Sequence, residues 1–143
     1  MSFADVYQIT GSAMTAQTVR LNTVASNLAN ADSPAQSEAA TYKARSPVFA
    51  SVYHNSLVQA GHHDLTGASV RVQDVIESGS AVRRYEPHHP LADRDGYVWY
   101  PDINVVEQMA DMMSASQNFS TDVEVLNNVK SMQQSLLKLG EGV

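Results

Sequence analysis

The chain has no cysteine. Disulfides, thiolate metal sites and thiol nucleophiles are thereby excluded, and the fold is indifferent to redox conditions. It also lacks any run of eighteen apolar residues, so no membrane-spanning helix is expected. Met1 to Ile9 shows no basic start followed by an apolar block, so no cleaved secretory signal is expected. Basic residues are scarce, nine Lys and Arg against fifteen Asp and Glu, for a formal net charge of −6. A general nucleic-acid binder needs a basic face to neutralise phosphates, so that class is set aside. Nucleophile-elbow and phosphate-loop patterns are missing too. Proline is absent from both ends of the chain: all five prolines, and all five histidines, lie between Asp32 and Pro101.

What is present suits one compact domain, or a small domain with extended arms. Of 143 residues, 43% are hydrophobic, enough for a core, and 17% are charged, too few for a charge-swollen disordered chain. The first zone, from about Ser2 to Ala31, reads as a long helix. Tyr7, Met14, Leu21 and Leu28 recur every seven residues, and Phe3, Thr10, Gln17, Val24 and Ala31 form a companion series. Ser2 and Asp5 have capping-box spacing. Thr10 and Gln17 thin the stripe, so this helix needs partners on more than one side.

The last zone, from about Ile103 to Leu139, is again proline-free, with Asn104 as a candidate cap and Glu107 at capping-box spacing. Val105, Met109, Met112, Ser116, Phe119, Val123 and Leu126 alternate by four and three. The stripe then shifts to Val125, Val129, Met132, Leu136 and Leu139, the drift of a straight helix against a seven-residue repeat. Gly140 and Gly142 mark its stop. Such a helix is roughly 50 Å long, more than the diameter of a small domain, so it projects or packs along a bundle or fibre.

The middle zone is different. Asp32 to Ala40 has a loop composition. Pro47–Val58 and Ala68–Ile76 contain β-like stretches, Glu77 to Ser80 reads as a turn, and Ala81–Tyr85 as a partner strand. Asp93 to Gly96 is a further turn before the aromatic run Tyr97 to Tyr100. The coarse picture is α+β: a small β-rich domain between two long helices.

Candidate chemistry is thin. His88 and His89 near Asp93, with His62, His63 and Asp64 upstream, could suggest a hydrolytic metal site. Adjacent histidines in an extended segment point to opposite sides, no helical His spacing exists, and Pro87 and Pro90 suit an exposed loop. Asp93-x-Asp95-Gly96 lacks the remaining ligands of a calcium loop. Met109, Met112 and Met113 read as adaptable packing, and Arg83–Arg84 as a solvated strand edge or an ion pair between subunits. The amides of Asn27 and Asn30 are candidates for polar contacts that fix register.

Gly11 to Gln17, Arg20-Leu21-Asn22 and Ala25-Ser26-Asn27-Leu28-Ala29-Asn30-Ala31 resemble the N-terminal signature of the bacterial flagellar rod and hook family. Asn104 to Glu107, Met109 to Met112 and Val123 to Asn127 resemble its C-terminal helix. Tyr85, Pro87, His89-Pro90, Ala92-Asp93, Gly96-Tyr97-Val98 and Pro101, with the short length, narrow the resemblance to a proximal-rod member. Asp102 stands where Asn is common, and a polar insert follows Asp32-Ser33-Pro34.

The resemblance implies a non-catalytic structural subunit without cofactor or metal. Such a subunit is exported by the flagellar type III apparatus and polymerises in the periplasm into a hollow, torque-transmitting rod. Its implied partners are copies of itself, the rod proteins FlgB, FlgF and FlgG, and the adaptor FliE. It implies the division 1–31, 32–46, 47–102 and 103–143, with the first and last segments paired as a coiled coil around a loop and a β-rich domain. Tyr7, Met14, Leu21, Val24 and Leu28 are then expected to pack against Val105, Met109, Met112, Phe119, Val123 and Leu126, with both arms folding on assembly. A soluble helical adaptor or secretion chaperone, and a metal-dependent enzyme using His88, His89 and Asp93, are the competing readings.

Overall fold

The computed structural model describes residues 3–53 and 68–141. Ser2, Val58, Gly142 and the His62–Asp64 run, all singled out above, lie outside the described residues. Helix α1 spans Phe3–Asn30 and helix α2 Val105–Glu141. Between them come a 3-10 turn (Glu38–Ala40) and strands β1 (Ala44–Tyr53), β2 (Ala68–Ser78), β3 (Ala81–Tyr85) and β4 (Tyr97–Pro101). The fold is therefore α+β, two long helices around a small β region. Among the described residues no helix is long and apolar enough to cross a membrane.

Local chemistry sets the helix limits. Asn104 caps α2: the backbone N–H groups of Val106 and Glu107 donate to its Oδ1 at 3.1 and 3.3 Å. Helix α1 ends where Asp32-Ser33-Pro34 cannot continue it, and there the Asn30 amide donates to the Ser26 carbonyl at 2.9 Å. At a rise of 1.5 Å per residue, α1 is about 42 Å long and α2 about 56 Å.

The strands form two separate two-stranded antiparallel sheets, β1–β2 and β3–β4. The hairpin β1–β2 carries a bulge at Val48/Phe49, where Gln73 has no opposite number. Its first strand begins at Ala44, ahead of Pro47. The strand Ala81–Tyr85 pairs forward with β4 rather than back across the Glu77–Ser80 turn. Gly79 (φ 117°) swings the chain out of β2. Beyond it, Ser80 is tied to Asp102: Asp102 N–H donates to the Ser80 carbonyl, and the Ser80 hydroxyl to Asp102 Oδ2, both at 3.1 Å. Strand β4 also supplies aromatic faces for both arginines. Arg83 lies 4.3 Å over Tyr97 and 5.4 Å over Trp99, and Arg84 lies 4.5 Å over Tyr100. The far side of β4 is bridged by Ala35, whose N–H and carbonyl both pair with Trp99. Ala31, Ala35, Thr41, Val98, Tyr100 and Pro101 are buried around this second sheet and form a small core. A second core lies where α1 packs against both α2 and the β1–β2 hairpin.

Candidate subunit-packing surface

The two helices run antiparallel, as three side-chain pairs establish. The Tyr7 hydroxyl donates to Gln133 Oε1 at 3.1 Å, Arg20 to Asp111 Oδ1 at 2.7 Å, and Asn27 Nδ2 to Gln108 Oε1 at 2.9 Å. On α1, Val24 is buried, while Tyr7, Met14, Leu21 and Leu28 are half-buried. On α2, Met112, Phe119, Val123 and Leu126 are half-buried, and Val105 and Met109 are exposed. The most enclosed positions are mainly small or polar: Asn27, Ala16, Val24, Thr10 and Thr23 on α1, and Ala115, with no exposed surface, on α2. Small side chains let neighbouring backbones approach closely, which encloses them, whereas the long apolar chains flank the contact. Hydropathy gives little weight to Thr and Ala, so periodicity placed Ser116 in the α2 stripe, where the structure buries Ala115.

Asn27 is the most connected polar side chain of the helix pair. It is 1% exposed, and every donor and acceptor of its amide is used. Nδ2 donates to the Arg45 carbonyl and to Gln108, both at 2.9 Å. Oδ1 accepts from the Arg45 N–H at 2.8 Å and from the Tyr42 hydroxyl at 3.1 Å. One amide thus joins α1, the loop before β1, the first residues of β1 and the first turn of α2. Among the described residues the Asn30 side chain bonds locally, to Ser26 and Ser33.

Among the described residues nothing covers the outer faces of α2. Val106, Met109 and Met113 recur at i, i+3 and i+7 near its start, with Met113 74% exposed. Met132, Leu136 and Leu139 recur at i, i+4 and i+7 near its end, with Leu139 71% exposed. At 100° per residue the two rows are about a third of a turn apart, and neither coincides with the row that faces α1. The chain exposes 10087 Å², against about 7,200 Å² for a compact monomer of its mass.

The loop between β3 and β4 is internally satisfied. Asp93 Oδ1 accepts the N–H groups of Asp95 at 2.9 Å and Tyr97 at 2.8 Å, fixing the turn that ends at Gly96 (φ 81°). His88 is exposed, and His89 Nδ1 accepts the Leu91 N–H at 3.1 Å. The Tyr100 hydroxyl donates to Glu86 Oε2 at 3.1 Å. Burial, then the hydrogen bond and charge of Glu86, hold this phenol above its ordinary pKa. Among the described residues no three His, Asp or Glu side chains converge as a metal cluster.

Two family models match the chain. "Flagella basal body rod protein" covers residues 8–34 and "Flagellar basal body rod FlgEFG protein C-terminal" covers residues 94–139, so the matches fall on the two helical ends. Three proteins named flagellar basal-body rod protein FlgC are similar over nearly the full length. That of Escherichia coli O6:H1 is 46% identical, covering 99% of this chain and 100% of the relative. That of Salmonella typhimurium is 44% identical with the same coverage. That of Borreliella burgdorferi is 29% identical over 94% of this chain and 95% of the relative.

Proposed function

The chain belongs to the FlgC family of flagellar basal-body rod proteins, and we propose that it is a proximal-rod subunit that polymerises through the outer faces of its helical pair. It is a structural subunit of the basal-body rod and not an enzyme. The single observation that supports polymerisation through the helices is the pair of uncovered apolar rows on α2, on a chain whose buried residues, among those described, are mainly alanine and threonine with two valines. Exposed apolar stripes of this extent mark contact surfaces. Two stripes on different faces and at opposite ends suit heterologous contacts, which propagate into open helical filaments rather than closing into dimers.

In this reading the rod is hollow and periplasmic, and its subunits arrive through the flagellar type III export apparatus without a cleaved signal. The neighbours are further copies, the rod proteins FlgB, FlgF and FlgG, and the adaptor FliE. The rod resists twist because its side chains interdigitate at near-crystalline density. The helix-pair residues Tyr7, Met14, Leu21, Val24 and Leu28 hold the subunit's shape, and the α2 rows meet its neighbours.

The test separates folding from assembly. Met113→Asp and Leu136→Asp place charges on exposed positions, so the purified variants keep the helical content and melting behaviour of the parent. In the flagellated source cell both variants are exported but fail to yield a rod in isolated basal bodies, and the cells are non-motile. Normal rods from both variants would remove the α2 rows from the assembly surface.

A further inference from the structure

The β3–β4 sheet has one covered edge and one open edge. In an antiparallel pair, alternate residues turn both backbone groups toward the partner strand and the residues between turn both outward. Asp102 N–H donates to the Ser80 carbonyl and Glu86 N–H to the Gly96 carbonyl, so the even-numbered residues of this stretch face β4. The register is unbroken from Ala81 opposite Pro101 to Tyr85 opposite Tyr97. Ala81, Arg83 and Tyr85 therefore turn their N–H and carbonyl groups away from β4. On the far edge the outward residue of β4 is Trp99, and Ala35 takes both of its backbone groups, at 2.8 and 3.0 Å. Nothing does the same for β3: among the described residues no hydrogen bond closes the outward groups of Ala81, Arg83 and Tyr85, and β4 is the one element packed substantially on this strand. Val82 is 41% exposed and Tyr85 66%.

We propose that the open edge of β3 is a docking site for an extended, acidic strand of a different protein, which adds to the sheet by backbone pairing. The charge of Arg83 selects the occupant. Its guanidinium is seated over Tyr97 and Trp99, and it has no ion-pair partner among the described residues. The residues on its face of the sheet, Ala81, Tyr85, Tyr97, Trp99 and Pro101, bring no carboxylate. A second copy of β3 is a poor occupant: antiparallel pairing about a two-fold axis sets Arg83 against Arg83, and like charges directly opposite repel. A carboxylate in that place is attracted instead. Opposite Tyr85 the fitting residue is aromatic, because that ring already stands edge-on to Tyr97 and is open on its outer side. Opposite Ala81 it is uncharged, because the edge there borders a cleft of about 350 Å³ lined by both Glu38 and Lys43. The site stands apart from the α2 rows and does not depend on what they assemble into.

The test titrates the purified full-length chain with the peptide Thr-Phe-Thr-Glu-Thr-Val-Thr and follows its backbone amides by nuclear magnetic resonance. Run antiparallel, the peptide sets Phe opposite Tyr85, Glu opposite Arg83 and Val opposite Ala81. Saturable binding is expected, in which the outward amides of Arg83 and Tyr85 shift most and exchange several-fold more slowly. The amides of Val82 and Arg84, already turned to β4, change little. A peptide with Lys in place of Glu binds about tenfold more weakly, as an opposed pair replaced by a like pair requires. Arg83→Glu reverses that order, and Ala81→Pro, which removes an outward N–H at constant charge, weakens both peptides. Should Arg83→Glu fail to fold, Arg83→Gln decides: it must abolish the difference between the two peptides. No saturable shift, equal shifts at inward and outward amides, or equal binding of the two peptides to the parent chain overturns the proposal. A dimer that forms without peptide and is lost in Ala81→Pro assigns the edge to a second copy and overturns it too. No variant here touches the α2 rows, so this result and the assembly result are read separately.

Discussion

The side-chain amide of Asn27 and the backbone of Arg45 exchange a reciprocal pair of hydrogen bonds, carbonyl to N–H and N–H to carbonyl, as two residues on neighbouring strands would. A helix side chain here does the work of a strand. The pair is enclosed, and the same amide reaches Tyr42 and Gln108, so the hairpin, the loop and the start of α2 share one anchor.

Asn27→Ala leaves the Arg45 groups and Gln108 without their partners in a closed setting. A loss of about 2–4 kcal/mol is expected, since each stranded buried polar group costs roughly 1–3 kcal/mol. Asn30→Ala, which removes only local bonds, should cost less than about 1 kcal/mol. Urea unfolding of the two variants side by side checks the difference. Equal losses would show that Asn27 is no more of an anchor than its neighbour.

Gly96 sits at φ 81°, and a Cβ there would stand 3.0 Å from Tyr85 Cε2 and 3.2 Å from Pro87 Cβ. Gly96→Ala should therefore destabilise the chain by about 2 kcal/mol, from strain and from displacement of Tyr85, whose ring stands edge-on to that of Tyr97 with centroids 5.3 Å apart. Thermal unfolding measures the loss, and near-ultraviolet circular dichroism reports whether the tyrosine pair moves.

Tyr100 contributes a pH dependence in the alkaline range. Its phenol is held above the ordinary value by burial and by Glu86. The folded chain therefore holds this proton more tightly than the unfolded chain. The resulting stability is fully present below the unfolded pKa of about 10 and is lost as pH rises through the folded value. Tyr100→Phe should flatten the fall in melting temperature above about pH 10 while leaving the curve near neutrality displaced but parallel. A wild-type alkaline fall that persists unchanged in the variant would assign it to other groups.

Hydrogen exchange on the free chain should be graded along α2. Amides around Ala115, enclosed against α1, are slow, and those from Met132 to Leu139, whose apolar side chains face solvent, are fast. Incorporation into the assembly should slow the second group most. Uniform protection along α2 in a monomer would mean a self-sufficient helical pair and would weaken the assembly reading.

The helices were legible because their signals are local. Proline-free stretches, heptad spacing and the Asn104 cap are set by residues within a few positions of one another, and α2 starts where its cap stands. The Asp93–Gly96 turn was legible for the same reason, because the carboxylate bonds backbone only two and four residues on. The strand after Gly79 was harder. Its partner is decided by aromatic faces on a strand more than ten residues away, and no local pattern distinguishes pairing backward from pairing forward. Within the helix pair, periodicity finds the large apolar side chains, but Ala16 and Ala115, whose hydropathy is unremarkable, are buried more deeply than any of them.

The sequence by itself determined the two helices, the β-rich middle between them and the family signature at either end. Each rests on short-range stereochemistry or on residues read in order. Tertiary structure alone decided that Asn27 serves a strand edge, that Arg83 and Arg84 lie on aromatic rings, and which faces of α2 stay open. Those outcomes depend on which groups meet across long stretches of chain, and hydrogen-bond geometry and burial are properties of the meeting rather than of either residue.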